Sequence, residues 1–199
     1  MAERLAQSTV DELRAGFDGE LILPEDSRYD EACKVFNSMI DRRPAVIARC
    51  ASADDVVATV NLARESDLEV AVRSGGHSVA GLSICSNGIL IDLAGLKEID
   101  IDPNARIART GGGVLWGEFD AATQEHGLHT PGGRVTTTGL AGFTLGGGFG
   151  WTSCKHGLTC DNLIAAEVVL ADGSVVRASE SENEEVSGGS AAGAGTSAS

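Results

Sequence analysis

Short apolar runs alternate with a helix-spaced segment in the first half of the chain, and this pattern predicts an α/β unit. Residues 45–48 and 68–72 have the length and composition of strands. Between them a helix is predicted, because Ser52 precedes two acidic residues and apolar residues then recur at helical spacing. A strand–helix–strand connection favours parallel strands. The residues that follow 68–72 therefore lie at the carboxyl end of a strand, where α/β units usually bind ligands.

Further along, the pattern favours β-structure around a single helix. Helical character returns over residues 115–126, with Gly127 as the expected C-terminal cap. An Ala-Asp-Gly turn between the last two apolar runs predicts a β-hairpin. The predicted β-segments after residue 72 are 89–91, 99–101, 105–109, 165–170 and 174–178.

These elements indicate an α+β fold with one main domain. The 199 residues, 42% of them hydrophobic, suffice for one domain with a proper core. We expect an N-terminal lead-in over residues 1–43 and the domain itself over 44–180. Residues 181–199 are almost entirely Ser, Glu, Gly and Ala, so they cannot bury enough apolar area to offset their ordering entropy, and we expect a disordered tail.

Charge and hydropathy exclude two classes of partner. The net charge is −14, from 29 acidic and 15 basic residues, and only three of the basic residues are lysines. Nucleic-acid binding is not expected, because no basic stripe is present to contact phosphates. No apolar run approaches the roughly 20 residues that span a bilayer. We therefore expect a cytoplasmic protein without membrane contact.

The five cysteines are scattered, odd in number and lack a CxxC pair, which favours a reducing compartment. Cys154, His156 and Cys160 lie close together in the sequence. A structural zinc site requires four ligands at recognised spacings, however, so no metal site is expected.

The first candidate site is the hexapeptide Arg-Ser-Gly-Gly-His-Ser at residues 73–78. Adjacent glycines permit positive φ and bring backbone N–H groups close to a diphosphate, while Arg73 and Ser78 add charge and a hydroxyl. His77 is the unusual member, because a neutral imidazole with a pKa of roughly 6.5 is a competent nucleophile. The alternative interpretation is an ordinary loop that ends a strand.

A glycine-rich cluster at residues 131–150 is the second candidate site. Three consecutive threonines at 136–138 offer hydroxyls and backbone donors, and the glycines allow close approach to a planar ligand. A flexible linker is the alternative. Leu and Phe are spaced regularly through the cluster, and this favours an ordered loop anchored in a core.

Four motifs, at residues 73–78, 111–116, 131–151 and 157–163, occur in the order found in a known family. The chain resembles the FAD-linked oxidases of the vanillyl-alcohol oxidase and p-cresol methylhydroxylase (PCMH) superfamily, especially the berberine-bridge-enzyme-like branch. The resemblance covers about residues 44–180. It implies a PCMH-type FAD-binding domain built from two small α/β subdomains.

By this resemblance the first loop wraps the diphosphate of FAD, and His77 attaches covalently to the 8α-methyl group of the flavin. Asp161 and Asn162 order the loop beside the cofactor. Some family members form a second bond through a cysteine, but Val135 occupies that position here, so His77 is the only expected attachment. The residues expected to bind FAD are Arg73, Ser74, Gly75, Gly76, His77, Ser78, Gly81, Gly132, Thr137, Thr138, Gly139, Gly142, Gly147, Asp161 and Asn162.

The implied activity is that of an FAD-dependent oxidoreductase, with hydride transfer from a substrate C–H bond to the flavin. The implied partners are a small-molecule substrate and an electron acceptor, with dioxygen as one candidate. Family members are more than twice as long, and their substrate domain follows the region around Val176. We therefore expect this chain to lack the substrate domain and its catalytic base. The only tyrosine, Tyr29, lies far upstream.

Three alternatives belong to other functional classes. A non-catalytic FAD-binding or regulatory module is consistent with a missing substrate domain. An unrelated nucleotide-binding protein is disfavoured, because neither GxGxxG nor GxxxxGK[ST] occurs. A hydrolase is disfavoured because GxSxG is also missing.

Overall fold

The chain folds into two units in a computed structural model that describes residues 7–186. The first unit contains the chain up to Leu96 together with Val169–Ser174, and the second contains Lys97–Val168 and the residues from Val175 onward. This division differs from the predicted boundary at residue 43, because the lead-in is part of the first unit.

The elements of the described chain follow the predicted order. The helices are α1 (Gln7–Arg14), α2 (Tyr29–Ala32), α3 (Ala53–Glu65), α4 (Trp116–Gln124), α5 (Leu140–Leu145) and α6 (Ser153–His156). The strands are β1 (Glu20–Ile22), β2 (Val46–Arg49), β3 (Val70–Arg73), β4 (Ile89–Asp92), β5 (Ile99–Asp102), β6 (Ile107–Thr110), β7 (Ala165–Val169) and β8 (Val175–Ser179). Short 3₁₀ turns follow β4 at Leu93–Gly95 and α6 at Cys160–Asn162.

The first unit is built on a four-stranded sheet in the order β1-β2-β4-β3. Strands β2 and β3 both pair in parallel with β4, and β1 pairs antiparallel with β2. The predicted parallel connection from β2 through α3 to β3 is therefore present, although β4 lies between β2 and β3 in the sheet. The loop after β3 lies at the carboxyl end of the parallel strands.

Helix α3 begins as its sequence predicts. The Ser52 hydroxyl accepts a hydrogen bond from the Asp55 backbone N–H at 3.1 Å. The buried Asp55 carboxylate accepts two further backbone hydrogen bonds, from Asp18 at 2.9 Å and from Ala51 at 2.8 Å. The start of the helix is thereby tied to the segment that precedes β1.

Both faces of the first sheet are covered, as expected for parallel strands. In β2 the fully buried neighbours Val46 and Ile47 belong to two separate apolar clusters, as do Ile89 and Leu90 in β4. The predicted lead-in supplies part of both clusters. It contributes the buried residues Val10, Ile22, Leu23, Tyr29, Ala32 and Cys33.

The second unit contains the β5–β6 hairpin, α4 and the glycine-rich cluster. Strands β5 and β6 pair antiparallel and correspond to the β-segments predicted at 99–101 and 105–109. The core of this unit centres on Trp116, which is fully buried and makes edge-to-face contacts with Phe119 and Phe143 at ring-centroid distances of 5.6 and 5.3 Å. Gly127 has φ = +64° just after α4, in agreement with the predicted cap.

Strands β7 and β8 form the predicted hairpin, with Gly173 at φ = +85° in its turn. The start of the predicted tail is ordered, because Ser179 forms a β-bridge with Glu182 and the Asn183 side chain donates to the Arg177 carbonyl at 2.7 Å. The tail boundary at residue 181 is thus too early. The rest of the predicted tail, residues 187–199, lies outside the described residues.

Three further observations concern residues 7–186 only. None of their helices combines the length and apolar character needed to cross a membrane. No three of their His, Cys, Asp or Glu side chains are grouped to hold a metal ion. Among the cysteines, Cys154 is exposed and the other four are buried.

Candidate cofactor site

The first loop, residues 74–81, follows β3 and turns sharply at one of its two adjacent glycines. Gly76 has φ = +70°, whereas Gly75 is not in the positive-φ region. The expectation that both glycines supply positive φ is therefore corrected to one of them. Gly81, at the end of the loop, has φ = +76° and packs against Ile40, whose side chain lies 3.0 Å from the position of a Cβ. Glycine is required at both turns by the backbone conformation.

A segment of the lead-in, residues 32–42, holds this loop and is called here the holding segment. The Phe36 backbone N–H donates to the Gly76 carbonyl at 3.1 Å, and the Asn37 side chain donates to the Val79 carbonyl at 2.9 Å. Arg42 donates to the Gly81 carbonyl at 2.9 Å. The loop is therefore fixed at its turn, at its middle and at its end.

Arg73 has a different environment from the one expected of a phosphate ligand. Its guanidinium is buried, 3.0 Å from the Asp92 carboxylate and 2.7 Å from the Ala32 carbonyl. Asp92 also accepts a hydrogen bond from Arg49 at 3.2 Å. The charge of Arg73 is thus already paired inside the first unit, where it links β3, β4 and the holding segment. A contact between Arg73 and FAD stays a prediction.

His77 lies in the middle of the loop, partly buried, with its ring stacked on Phe36. The two ring centroids are 4.2 Å apart and the planes are inclined by 18°. Burial lowers the pKa of His77 below its ordinary value, because the charged imidazolium is less well solvated there. The imidazole is therefore neutral at physiological pH, which is the form that acts as a nucleophile.

The serines of the loop have separate positions. The Ser78 hydroxyl oxygen accepts from the Leu82 backbone N–H at 3.0 Å, which leaves its own hydrogen available to donate. Ser74 is half-buried directly after β3. Both fit the hydroxyl contribution expected of them, and their contact with a cofactor stays a prediction.

The second glycine-rich cluster is an ordered loop, and the linker alternative is wrong. Gly132 lies against the Trp116 ring, which is 2.5 Å from the position of a Cβ. Gly150 lies against the Gly132 carbonyl, which is 2.2 Å from the corresponding position. Thr159 joins the two ends of the cluster, because its hydroxyl donates to the Pro131 carbonyl at 2.7 Å and its backbone N–H donates to the Gly148 carbonyl at 2.9 Å.

The threonine run is anchored by its backbone at the start of α4. The carbonyls of Thr138 and Thr136 accept from the N–H groups of Trp116 at 3.0 Å and Gly117 at 2.9 Å. Thr137, between them, has an exposed side chain. The run therefore keeps a fixed path over the Trp116 core while the Thr137 side chain faces solvent.

Helix α5 begins directly after the threonines with Gly139 as its N-cap residue. Gly142 lies on the exposed face of this helix, where a Cβ would meet no atom within 4 Å. The packing of this chain therefore does not require glycine at 142, whereas a closely approaching ligand would. Gly147 has φ = +95° beyond the helix, and its carbonyl accepts from the Cys160 N–H at 3.0 Å.

Asp161 and Asn162 both bond to the backbone of the loop that precedes them. The Asp161 carboxylate accepts from the Leu158 N–H at 2.8 Å, and the Asn162 amide donates to the carbonyls of Leu158 at 2.7 Å and His156 at 3.1 Å. These bonds explain both residues without a ligand, so their role beside a cofactor stays a prediction.

Large side chains near this loop are exposed in the second unit. Phe149 is 63% exposed, and Trp151 is 81% exposed with Arg134 lying over its ring at 5.1 Å. Val135 is also exposed and carries no sulfur, so it offers no thioether chemistry. The surface thus combines apolar rings, backbone groups and glycines in the way that a planar heteroaromatic ligand requires.

Both candidate regions fit a flavin dinucleotide by their chemistry. The first unit offers a neutral imidazole nucleophile in a turn held from both sides. The second offers the open helix face at Gly142 and the exposed Thr137.

The sequence pattern gave little sign of the holding segment. Phe36, Asn37 and Arg42 contact the first loop over separations of about 40 residues, and Asp92 pairs with Arg73 from the adjacent strand β4. The one local signal was the apolar Val35-Phe36 pair next to Asn37, which lies outside any predicted helix or strand.

Comparison with known proteins gives a consistent result. The sequence profile of a family described as an FAD binding domain matches residues 44–179. The (R)-6-hydroxynicotine oxidase of Paenarthrobacter nicotinovorans is 38% identical over 168 residues, which make up 84% of this chain and 37% of that protein. The chain spans between 34 and 38% of the length of the first curated relatives that it matches.

Solved structures agree with the sequence matches. The 6-hydroxy-D-nicotine oxidase from Arthrobacter nicotinovorans has a TM-score of 0.89 and 36% identity, over 96% of this chain and 41% of that one. The glucooligosaccharide oxidase from Acremonium strictum, whose structure concerns a 6-S-cysteinyl, 8α-N1-histidyl FAD, has a TM-score of 0.86 and 29% identity, over 92% of this chain and 39% of that one. Proteins described as BBE-like match as well.

Proposed function

Because the chain belongs to the FAD-linked oxidases with a PCMH-type FAD-binding fold, we propose that it binds FAD and attaches it covalently through His77. In a full-length relative, this region would serve the oxidation of a small-molecule substrate. The observation that carries the proposal is the partly buried imidazole of His77, which is stacked on Phe36 within a turn fixed by hydrogen bonds. The histidyl flavin named for one structural relative supports the same chemistry.

Each unit carries residues that are proposed to bind FAD. In the first, the N–H groups of the 74–78 turn and the Ser78 hydroxyl donate to the diphosphate, while Arg73 keeps the turn in place through Asp92. In the second, Thr137, Thr138 and the open face at Gly142 contact the cofactor. Anions bind well where successive backbone N–H groups converge, so the diphosphate needs no additional cation.

The attachment is a balanced two-electron oxidation. Attachment through His77 would replace its N–H bond and a C–H bond of the flavin 8α-methyl group by one C–N bond, and the two electrons and two protons released would reduce dioxygen to hydrogen peroxide. The role of His77 is to present a ring-nitrogen lone pair, which requires the neutral form. When bound, FAD supplies the hydride-accepting chemistry of an oxidase.

Some family members form a second covalent bond to the flavin through a cysteine, and the residue at that position in this chain is Val135. A valine has no nucleophilic atom, so we propose a single attachment point. The electron acceptor is proposed to be dioxygen, and the location to be the cytoplasm, where the exposed Cys154 would stay reduced.

A second candidate function is a non-catalytic FAD-binding module. The observation that supports it is the family match over residues 44–179, whose description names FAD binding alone. Such a module would bind and attach FAD without turning over any alcohol, sugar or amine. Oxygen consumption with these substrates separates the two functions, since only an oxidase consumes dioxygen beyond the attachment step.

The attachment itself is tested by acid precipitation followed by in-gel flavin fluorescence. The purified protein is compared with His77→Ala and with His126→Ala, a control in which another exposed histidine is removed at the end of α4. We expect fluorescence to stay with the wild type and His126→Ala and to vanish from His77→Ala. Flavin retained by His77→Ala, or absent from the wild type, would contradict the proposal.

A further inference from the structure

Phe36 is the residue of the lead-in that touches the proposed nucleophile. Its ring is stacked on His77 at 4.2 Å, although its side chain is 63% exposed and belongs to neither apolar cluster of the first unit. An aromatic ring that remains mostly in water contributes little to a core. The stacking contact with His77 thus involves a ring that is not part of a core cluster.

The backbone around Phe36 is fixed relative to His77 on both sides. The Phe36 N–H is bonded to the carbonyl of Gly76, the residue before His77, and Asn37 is bonded to the carbonyl of Val79, two residues after it. Arg73 further ties the holding segment by donating to the Ala32 carbonyl. Three hydrogen bonds thus set the position of one exposed ring over one imidazole.

Stacking is the contact that leaves an imidazole reactive. The nucleophilic lone pair of a neutral imidazole lies in the plane of the ring, so a partner on one face does not cover it. A stacked neighbour does restrict rotation about the side-chain bonds and thereby holds the lone pair in one direction. Restricting a reacting group to one orientation is a recognised source of rate acceleration.

We propose that Phe36 is a positioning residue for His77, which fixes the plane of the imidazole before flavin is attached. The inference rests on the proposed function of His77 as the attachment point. It assigns a role to the segment before residue 44, which the matched family region does not include. Phe36 does not itself react.

The test uses three variants of the full chain prepared without flavin. Phe36→Ala removes the ring, Phe36→Tyr keeps an aromatic face, and Met39→Ala is the matched control in the same segment, since Met39 is 85% exposed. The first readout is NMR of the His77 ring protons, assigned with His77→Gln, because a stacked aromatic ring shifts them upfield. The second is the rate of covalent attachment after FAD is added.

We expect the upfield shift in the wild type, Phe36→Tyr and Met39→Ala, and its loss in Phe36→Ala. We expect attachment to be slowed by about 2- to 10-fold in Phe36→Ala, the range that corresponds to one aromatic pair, and to be unchanged in Met39→Ala. Attachment in Phe36→Tyr should stay close to that of the wild type.

The two proposals fail in different ways. No attachment in the wild type would contradict the function proposed for His77, while the ring-proton shifts would still decide whether Phe36 holds the imidazole. Unchanged shifts in Phe36→Ala, or equal attachment rates in Phe36→Ala and Met39→Ala, would overturn the positioning role. A Phe36→Tyr variant as slow as Phe36→Ala would overturn it as well.

Discussion

The two candidate loops use glycine for different physical reasons. In the first loop, Gly76 and Gly81 have positive φ, so glycine shapes the turn. In the second cluster, Gly132 and Gly150 are needed because a Cβ would fall 2.5 Å from the Trp116 ring and 2.2 Å from a backbone carbonyl, respectively. The first use presents a side chain on a tight turn, and the second brings backbone segments close together. This difference agrees with our proposal that the first loop attaches the flavin and that the second cluster binds it non-covalently.

The two units also differ in what fixes their loops. The first loop is held by hydrogen bonds from the holding segment and by the buried Arg73–Asp92 pair. The second is held by the aromatic core around Trp116 and by the Thr159 bonds. Substitutions that remove a charge should therefore destabilise the first loop most, and substitutions that add volume should destabilise the second.

The largest effect is expected for Asp92→Asn, which removes the partner of the buried Arg73 charge. Breaking one side of a buried ion pair typically lowers the free energy of unfolding by about 3–5 kcal/mol. Urea unfolding measures this change. Asp100→Asn is the control, because its ion pair with Arg109 is exposed and should contribute no more than about 1 kcal/mol. Equal losses in the two variants would refute a special role for the buried pair.

A smaller loss is expected for Gly150→Ala in the second unit. The added Cβ would overlap the Gly132 carbonyl, and such overpacking lowers the free energy of unfolding by about 1–3 kcal/mol. The same urea experiment measures it. If Gly150→Ala is as stable as the wild type, the close approach of these two segments is incorrect.

Gly142→Ala should separate cofactor binding from stability. Its Cβ meets no atom of the protein, and alanine favours helices over glycine by up to about 1 kcal/mol, so the fold should be unchanged or slightly more stable. Binding of FAD to this variant, measured by flavin fluorescence in the His77→Ala background, should weaken by about tenfold, or about 1.4 kcal/mol. Gly16→Ala, also sterically free, is the control and should bind FAD as before. Unchanged affinity in Gly142→Ala would remove this residue from the proposed site.

The smallest expected effect is that of a pH change near neutrality on the rate of flavin attachment. Burial lowers the pKa of His77 below the ordinary value of about 6.5, so the neutral imidazole persists to lower pH than that of a free histidine. The rate of attachment should therefore fall on acidification, as His77 is protonated, and should reach half its value at high pH only below pH 6.5. A rate that already falls by half above pH 6.5 would show that the pKa is not lowered.

Local features of the fold could be predicted from the sequence because neighbouring residues determine them. Ser52 caps α3 by bonding a residue three positions away, and the Ala-Asp-Gly turn between β7 and β8 needs only its own backbone. The ordered glycine cluster was predicted from Leu and Phe spaced within it, and Leu140 and Phe143 do pack on the Trp116 core.

Long-range features could not be predicted in this way. The insertion of β4 between β2 and β3 depends on pairing among distant strands, which hydrophobic periodicity does not specify. Phe36 and His77 are 41 residues apart, and the buried partner of Arg73 is 19 residues away. The lead-in joins the first unit through contacts of the same long-range kind, so hydrophobic periodicity does not show that it packs there.

The assignment of attachment to the first loop is tested most directly by locating the flavin on the chain. Trypsin cleaves after Arg73 and Lys97, which isolates His77 on a peptide of residues 74–97, whereas His126 and His129 fall on residues 110–134 and His156 on residues 156–177. After incubation with FAD, mass spectrometry should find the flavin adduct on residues 74–97 and on neither of the other two peptides. An adduct on residues 110–134 or 156–177, or unmodified peptide throughout, would contradict the account.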